Sequence, residues 1–333
     1  MASPSSRRIR AAVLATSIVV VAAGGVGIWK WTRPGGSDAV TCSALLNDTR
    51  IHDALGSSYR KNLSCHGLGE ALRKAGTGDK PGIHSKGQAQ AMRNILQATS
   101  DALTKSQQKS IAGPLRLPLA ALIADYAPDT YEILKELDAD YLTHASDDEP
   151  WEDNSGVHMT VAHEDLVRVV RAISDSPTAY AKVRSAEGRY AAHALATIPG
   201  TAKGFSLSLP PTGNALMLGA LDGVAADVTN GLSKQEAARW NKEMVNSLVS
   251  STTANIPDYK SNPAEYINST WAKGLSATST NSSKIFHEQG LHYMNIWAET
   301  RNESSKPSAR QSEDCRDSQF RKYQETVEFL KDH

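Results

Sequence analysis

The chain has 333 residues, enough for one large domain or two ordinary ones. Its 36 Lys and Arg residues balance 36 Asp and Glu residues, so no net charge would attract nucleic acid or an acidic lipid surface to the folded part. We therefore expect no nucleic-acid partner, and the ordinary content of apolar residues, Gly and Pro excludes wholesale disorder.

The first predicted element is a membrane anchor. Residues 11–29 are uncharged, a length close to the roughly 20 residues that a helix needs to cross a bilayer. Arginines precede this run, and two tryptophans stand at its far edge, where indole rings favour the membrane interface. We predict a cytoplasmic tail at residues 1–10, a transmembrane helix in contact with lipid at 11–31, and a spacer at 32–40. The protein would then be a single-pass membrane protein whose C-terminal domain lies outside the cytoplasm.

A cleaved secretory signal is the alternative to this anchor. A basic N-terminal stretch before an apolar core is typical of both membrane anchors and signal peptides. Val21, Ala22 and Ala23 are small residues at which a signal peptide could be cleaved. The apolar run continues beyond that point through Val26 and Ile28, which favours the anchor. Cleavage would instead make the protein secreted.

Three cysteines, Cys42, Cys65 and Cys315, all follow the predicted anchor. In an oxidising compartment one disulfide can form among them and one thiol remains. We predict the Cys42–Cys65 pair, because the loop between them can close without bringing distant segments together. Each of the two cysteines also begins a predicted helix. A bond from Cys315 to the N-terminal segment stays open as the alternative. No C-x-x-C motif supports a zinc or redox role.

Helical periodicity dominates the chain after residue 40. Apolar residues recur at spacings of three and four, as in Leu119, Leu122, Ile123 and Tyr126, whereas strand patterns are nearly absent. The sequence therefore predicts an all-α fold, an irregular multi-helix bundle preceded by one transmembrane helix.

Capping residues mark the beginnings of three helices. Ser176 and Asn262 each precede a proline, and Ser233 is followed three residues later by Glu236, which forms a capping box. We expect helices to begin at these three positions.

The acidic stretch at residues 146–156 is predicted to be a loop. Oxygen-rich loops can bind calcium, but the ordered spacing of an EF-hand is absent, so a solvated acidic loop is the simpler interpretation. The candidate cation-binding residues are Asp147, Asp148, Glu149, Glu152 and Asp153.

One later segment alternates apolar and polar residues through Phe205, Leu207 and Leu209, but it has no partner strand within reach of a hairpin. We interpret it as an extended connection between two helical lobes. The predicted order is lobe 1 at residues 41–200, the connection at 201–213 and lobe 2 at 214–333.

No motif predicts a catalytic, metal or cofactor site. His287 and His292 begin to resemble a zinc-protease helix, but a separation of five residues turns about 140° around a helix, so the rings would not share a face. Two S-x-x-K matches, at Ser58 and Ser106, lack the S-D-N and K-T-G companions of penicillin-recognising enzymes. We expect no cofactor, and a non-enzyme is favoured over an enzyme.

Three segments carry a resemblance: residues 115–126 (LRLPLAALIADY) with Asp129, residues 164–191, and residues 41–56. The first two resemble a helical module of actinobacterial proteins, some of them linked to secreted polymorphic toxins and their export. The third resembles the start of exported or membrane-anchored proteins from the same group. The resemblance implies an all-α fold and an envelope context, and it brings no catalytic residues. In this chain an N-terminal anchor replaces the toxin or secretion domains that can accompany such a module. This difference argues against a toxin role.

These observations favour an extracytoplasmic interaction or scaffold protein with a protein partner in the envelope and a link to secretion or toxin systems. The alternative is an envelope hydrolase that pairs Glu164 or Asp165 with an acidic-loop carboxylate, about 5 to 9 Å apart in a cleft. A sensor or inhibitor-like binding module would instead show a sizeable pocket or an exposed apolar patch.

Overall fold

The computed structural model of the protein describes residues 39–332, apart from residues 79, 81, 251, 253–254, 278–281 and 301–308. The predicted anchor lies outside the described residues. Within the part that is described, no helix is both long and apolar enough to span a bilayer.

The all-α prediction is confirmed, since the described residues form fifteen α-helices and one short hairpin. A single 3₁₀ turn, Gly56–Ser58, follows the second helix. The elements in chain order are α1 (Cys42–Leu46), α2 (Thr49–Leu55), α3 (Cys65–Gly76), α4 (Lys86–Ser106), α5 (Gly113–Asp125), α6 (Ala127–Lys135), α7 (Ala139–His144), β1 (Trp151–Asp153), β2 (Gly156–His158), α8 (His163–Ile173), α9 (Pro177–Ala196), α10 (Phe205–Asn230), α11 (Lys234–Ser250), α12 (Pro263–Ala277), α13 (Ser282–His287), α14 (Gln289–Thr300) and α15 (Ala309–Asp332).

The three predicted helix starts are confirmed. The side chains of Ser176 and Asn262 each accept a hydrogen bond from the backbone N–H three residues later. Ser233 and Glu236 exchange hydrogen bonds between side chain and backbone, as a capping box requires. The capping residues alone therefore predict where α9, α11 and α12 begin, without reference to tertiary packing.

The predicted Cys42–Cys65 disulfide is present, with the two Cα atoms 5.4 Å apart. It joins the first turns of α1 and α3, whose N-caps are Thr41 and Ser64. Cys315 is the remaining thiol and is buried. Burial raises the pKa of Cys315 to about 12, so this thiol is protonated and inert.

Helices α9 and α10 form the centre of the fold. Helix α10 is buried on nearly every side between Gly213 and Val228, and α9 contacts α5, α6, α11 and α12. One continuous hydrophobic core extends from Val40 to Leu330. The residues assigned to the two predicted lobes therefore share this core.

Helix α15 lies along α10 at a distance that only glycine permits. A Cβ added at Gly219 would collide with the backbone carbonyl of Gln319, and one at Gly223 would come 2.6 Å from the Cβ of Thr326. Interiors are already close-packed, so neither collision could be relieved without moving α15. These two glycines fix how closely α15 approaches the central helix.

The prediction of an extended connection at residues 201–213 is wrong from Phe205 onward, because α10 begins there. Pro210 and Pro211 lie in its early turns, near an exposed end where carbonyls that lose a partner can still reach water. Phe205 is 75% exposed, so the alternating pattern does not mark the buried face of a strand. The apolar run that follows the prolines supplies the buried part of α10.

Candidate functional site

A fully buried ion pair lies at the centre of the fold. Arg184 of α9 donates a hydrogen bond of 2.6 Å to Asp222 of α10, and their side chains are 0% and 3% exposed. Charges withdrawn from water must be paired, and their remaining polar atoms must be hydrogen-bonded. Other N–H groups of Arg184 donate to the Tyr180 hydroxyl at 2.8 Å, the Gln289 side chain at 3.1 Å and the Phe286 carbonyl at 3.2 Å.

Gln319 of α15 completes the environment of Asp222. Its side-chain amide donates to the second Asp222 oxygen at 2.7 Å and also to the His287 carbonyl. Burial would raise the pKa of Asp222, but the Arg184 charge, with His287 and Gln319, outweighs burial and lowers it. Asp222 is therefore an ionised carboxylate with both oxygens engaged, and one polar network joins α9, α10, α13, α14 and α15.

An open cleft of about 600 Å³ lies beside this network, between α10, α11, α13 and α15. Asp222, Gln319 and Phe286 form its buried lining, and the His287 side chain is 54% exposed there. The Arg184 guanidinium lies behind Phe286, 3.8 Å from the ring centroid, which is a cation–π contact. The inner surface of the cleft is therefore fixed from behind by the buried ion pair.

The outer lining of the cleft is aromatic and polar. Phe320 of α15 is 59% exposed, and its ring lies 6.1 Å from that of Tyr323 with an angle of 18° between them. Glu288 and Arg316 form an ion pair of 3.3 Å at the same cleft. An exposed aromatic ring packed against a half-buried one, beside hydrogen-bonding groups, is typical of a binding surface.

Two smaller cavities, of about 210 and 320 Å³, lie elsewhere in the domain. The first contains Lys109 and Arg171, whose charges are both paired with Asp227. The second lies between α12, α13 and α14, and its two titratable residues, His292 and Glu299, form no ion pair with a described residue. The cleft beside α10 is therefore the best candidate for a functional site.

The carboxylates of the predicted acidic loop are directed to separate partners. No group of three or more His, Cys, Asp or Glu side chains able to hold a metal ion occurs in the described ranges. Glu149 is exposed and forms no ion pair with a described residue. The other pairs are Asp147 with His144 (2.6 Å), Asp148 with Arg93 (3.0 Å), Glu152 with Lys86 (3.2 Å) and Asp153 with His158 (3.0 Å). Cation binding by this loop stays a prediction.

Part of the acidic stretch is a hairpin rather than a loop, and His158 fastens it to α6. Strands β1 and β2 pair antiparallel. One ring nitrogen of His158 lies 2.9 Å from Asp129 of α6, and the other lies 3.0 Å from Asp153. Burial disfavours a charged ring, but the two carboxylates outweigh burial and raise the pKa of His158 to about 9. The hairpin was not recognisable in the sequence because its strands have three residues each.

The residues considered for hydrolysis line none of the three cavities, and the two histidines considered for zinc binding belong to different helices. Asp165 accepts hydrogen bonds from Ser100 at 2.6 Å and Arg168 at 3.4 Å. None of the three cavities is lined by Glu164, Asp165 or an acidic-loop residue. His287 ends α13 whereas His292 lies within α14, so their rings do not share one helical face.

No protein-family model, curated protein or solved structure matches this chain. The resemblance to actinobacterial helical modules stays a prediction, and the site is defined by its own geometry.

Arg184, Asp222 and Gln319 belong to no motif or periodic pattern that marks them as central in the sequence. One signal for them was present, because Asp222 is the only charged residue within the apolar run at 215–226 (ALMLGALDGVAA). A carboxylate in such a run implies a buried cationic partner. The sequence could not show that the partner is Arg184 on another helix.

The His158 pair predicts a specific pH dependence of stability. The pKa of about 9 in the folded state exceeds the ordinary value of 6.5, so the pair stabilises the protein below pH 6.5 and its contribution is lost as the pH rises through 9. The full pKa difference corresponds to about 3 kcal/mol, and partial solvent screening reduces this to roughly 1–2 kcal/mol. We expect His158→Gln to lower the free energy of unfolding by that amount at pH 6 and to match wild type above pH 9, in urea titrations.

The matched control for this measurement is His144→Gln. His144 and Asp147 form an exposed pair, with side chains 35% and 49% exposed, so the loss should stay below about 1 kcal/mol. An equal loss for His158→Gln at both pH values would contradict the interpretation.

Proposed function

We propose that the protein is an extracytoplasmic binding module whose helical domain binds its ligand in the cleft between α10, α11, α13 and α15. The observation that supports this proposal is the cleft itself, with a volume of about 600 Å³ and both exposed aromatic and polar groups in its lining. Concave sites of this size with a few convergent polar groups are the usual form of ligand sites. The expected interaction role is thereby assigned to one surface of the domain.

The cleft is organised before any ligand enters. Asp222 and Gln319 are held by the buried network, and Phe286 packs on the Arg184 guanidinium. A binding surface whose side chains are already fixed loses less conformational entropy when it binds. The arrangement therefore favours recognition by a formed surface.

The hydrolase alternative has less support. Asp222 and Glu288 both line the cleft, and a glycosidase needs one carboxyl group to donate a proton while the other attacks or activates water. The lowered pKa of Asp222 keeps it ionised, and both of its oxygens are engaged. Glu288 is paired with Arg316. Neither carboxyl group is arranged as a proton donor.

The location of the domain is part of the proposal. The Cys42–Cys65 bond supports an oxidising compartment, because disulfides persist mainly outside the reducing cytoplasm. Residues 11–31 would anchor the chain in the membrane, and a protein partner from a secretion or toxin system would be reached from there. Cleavage of the N-terminal segment would leave the same domain secreted.

The proposed location predicts the behaviour of C-terminal fusions in bacterial cells. Alkaline phosphatase fused after residue 333 should be active, because it forms its disulfides only outside the cytoplasm, and it should sediment with membranes. Active phosphatase in the medium would favour the secreted alternative. Strong fluorescence from green fluorescent protein fused at the same point, with an inactive phosphatase fusion, would contradict an outside location.

The proposed site predicts where small molecules bind. Ala226 lies in α10 at the cleft, and Ala226→Trp should fill part of it. In a ligand-observed NMR screen of polar fragments against the full chain, we expect hits that lose binding in Ala226→Trp. The matched control is Ala139→Trp, an exposed position in α7 that does not line the cleft.

Phe320→Ala serves as a second cleft variant, since it removes an exposed ring and leaves the core intact. Thermal unfolding of each variant should stay close to wild type. Fragments that bind all four proteins equally would contradict the proposed site.

A further inference from the structure

The charged groups at the cleft already have partners, one of them behind its lining and the others within it. Asp222 is neutralised by Arg184 at 2.6 Å, and Glu288 by Arg316 at 3.3 Å. The His287 ring lies 3.7 Å from the Asp222 carboxylate. A charged ligand would have to separate one of these pairs or place a further charge beside it, and both cost free energy at a partly buried surface. The lining therefore favours a ligand without net charge.

Neutral hydrogen-bonding groups of the cleft are left without protein partners. The side-chain amides of Asn230 and Asn241 and the hydroxyl of Tyr323 line the cleft, and none has a hydrogen bond to another described residue. Each amide offers a carbonyl acceptor and two N–H donors, and the phenol offers one O–H. Such a set matches a ligand whose own groups both donate and accept, as sugar hydroxyls do.

An exposed flat aromatic surface accompanies these groups. The Phe320 ring is 59% exposed and nearly parallel to the Tyr323 ring. The ring faces of pyranose sugars present C–H bonds, which are apolar, while their hydroxyl groups point outward along the edge. Stacking of that face on Phe320 would cover apolar surface on both molecules, while the edge hydroxyls meet the amides.

We propose that the cleft binds an uncharged oligosaccharide, with one sugar ring against Phe320 and its hydroxyl groups hydrogen-bonded to Asn230, Asn241 and Tyr323. This inference rests on the proposed function and names the ligand class of the same site. A helical peptide suits the cleft less well, because helix-binding grooves are apolar along their length, whereas this cleft contains Asp222 and Gln319.

Calorimetric titration of the full chain in detergent micelles tests the ligand class. The neutral probes are chitotetraose, cellotetraose and maltotetraose, and the charged probes are the cationic deacetylated chitotetraose and the anionic tetragalacturonate. A proline-rich decapeptide represents peptides. We expect at least one neutral tetrasaccharide to bind about tenfold more tightly than either charged one, with a Kd that changes little between low and high salt.

Cleft variants locate the binding. Phe320→Ala and Asn241→Ala should each weaken the neutral tetrasaccharide by about tenfold. The matched control is Leu142→Ala, which removes another exposed apolar side chain, 55% exposed, from α7 outside the cleft. It should leave the Kd unchanged.

The outcomes separate this inference from the proposed function. Tighter binding of a charged tetrasaccharide, or no binding of any neutral one, overturns the oligosaccharide inference. If the peptide binds and depends on Phe320, the inference fails while the binding cleft stands. If no probe binds and no fragment depends on Ala226, both fail.

Discussion

The buried pair of Arg184 and Asp222 is the interaction on which the rest of the structure depends. It joins the two central helices, α9 and α10, and its hydrogen bonds extend to Phe286, Gln289 and Gln319 on α13, α14 and α15. A buried ion pair cannot be separated without a large cost in free energy, because each charge would then be buried without its partner. Packing arrangements that separate α9 from α10 are disfavoured for that reason, and the five helices are held in one mutual position.

The same pair accounts for the form of the cleft. Gly219 and Gly223 let α15 approach α10 closely, and Gln319 then reaches Asp222 from α15. Because α15 is fixed at that point, Phe320, one residue further along, is held at the edge of the cleft although its ring is exposed. An ionic interaction that contributes modest net stability thus positions the side chains that we assign to binding.

Features set by local chemistry could be predicted from the sequence. The starts of α9, α11 and α12 followed from capping residues, and the Cys42–Cys65 bond followed from a short loop between two helix starts. The start of α10 could not be predicted, since prolines at 210 and 211 normally end a helix, and tertiary packing decides the outcome here. The cleft could not be predicted either, because its residues come from four helices and meet only through long-range packing around Asp222.

A double-mutant cycle at the central pair tests this account most directly. Urea unfolding of the full chain would be measured for Arg184→Met, Asp222→Leu and the double variant, with the exposed pair of Arg321 and Glu325 as the reference. We predict that each single variant loses about 3–5 kcal/mol and that the double variant recovers most of it, since no buried charge is then left alone. Losses below about 1 kcal/mol, as expected for the exposed pair, would contradict the central role of Arg184 and Asp222.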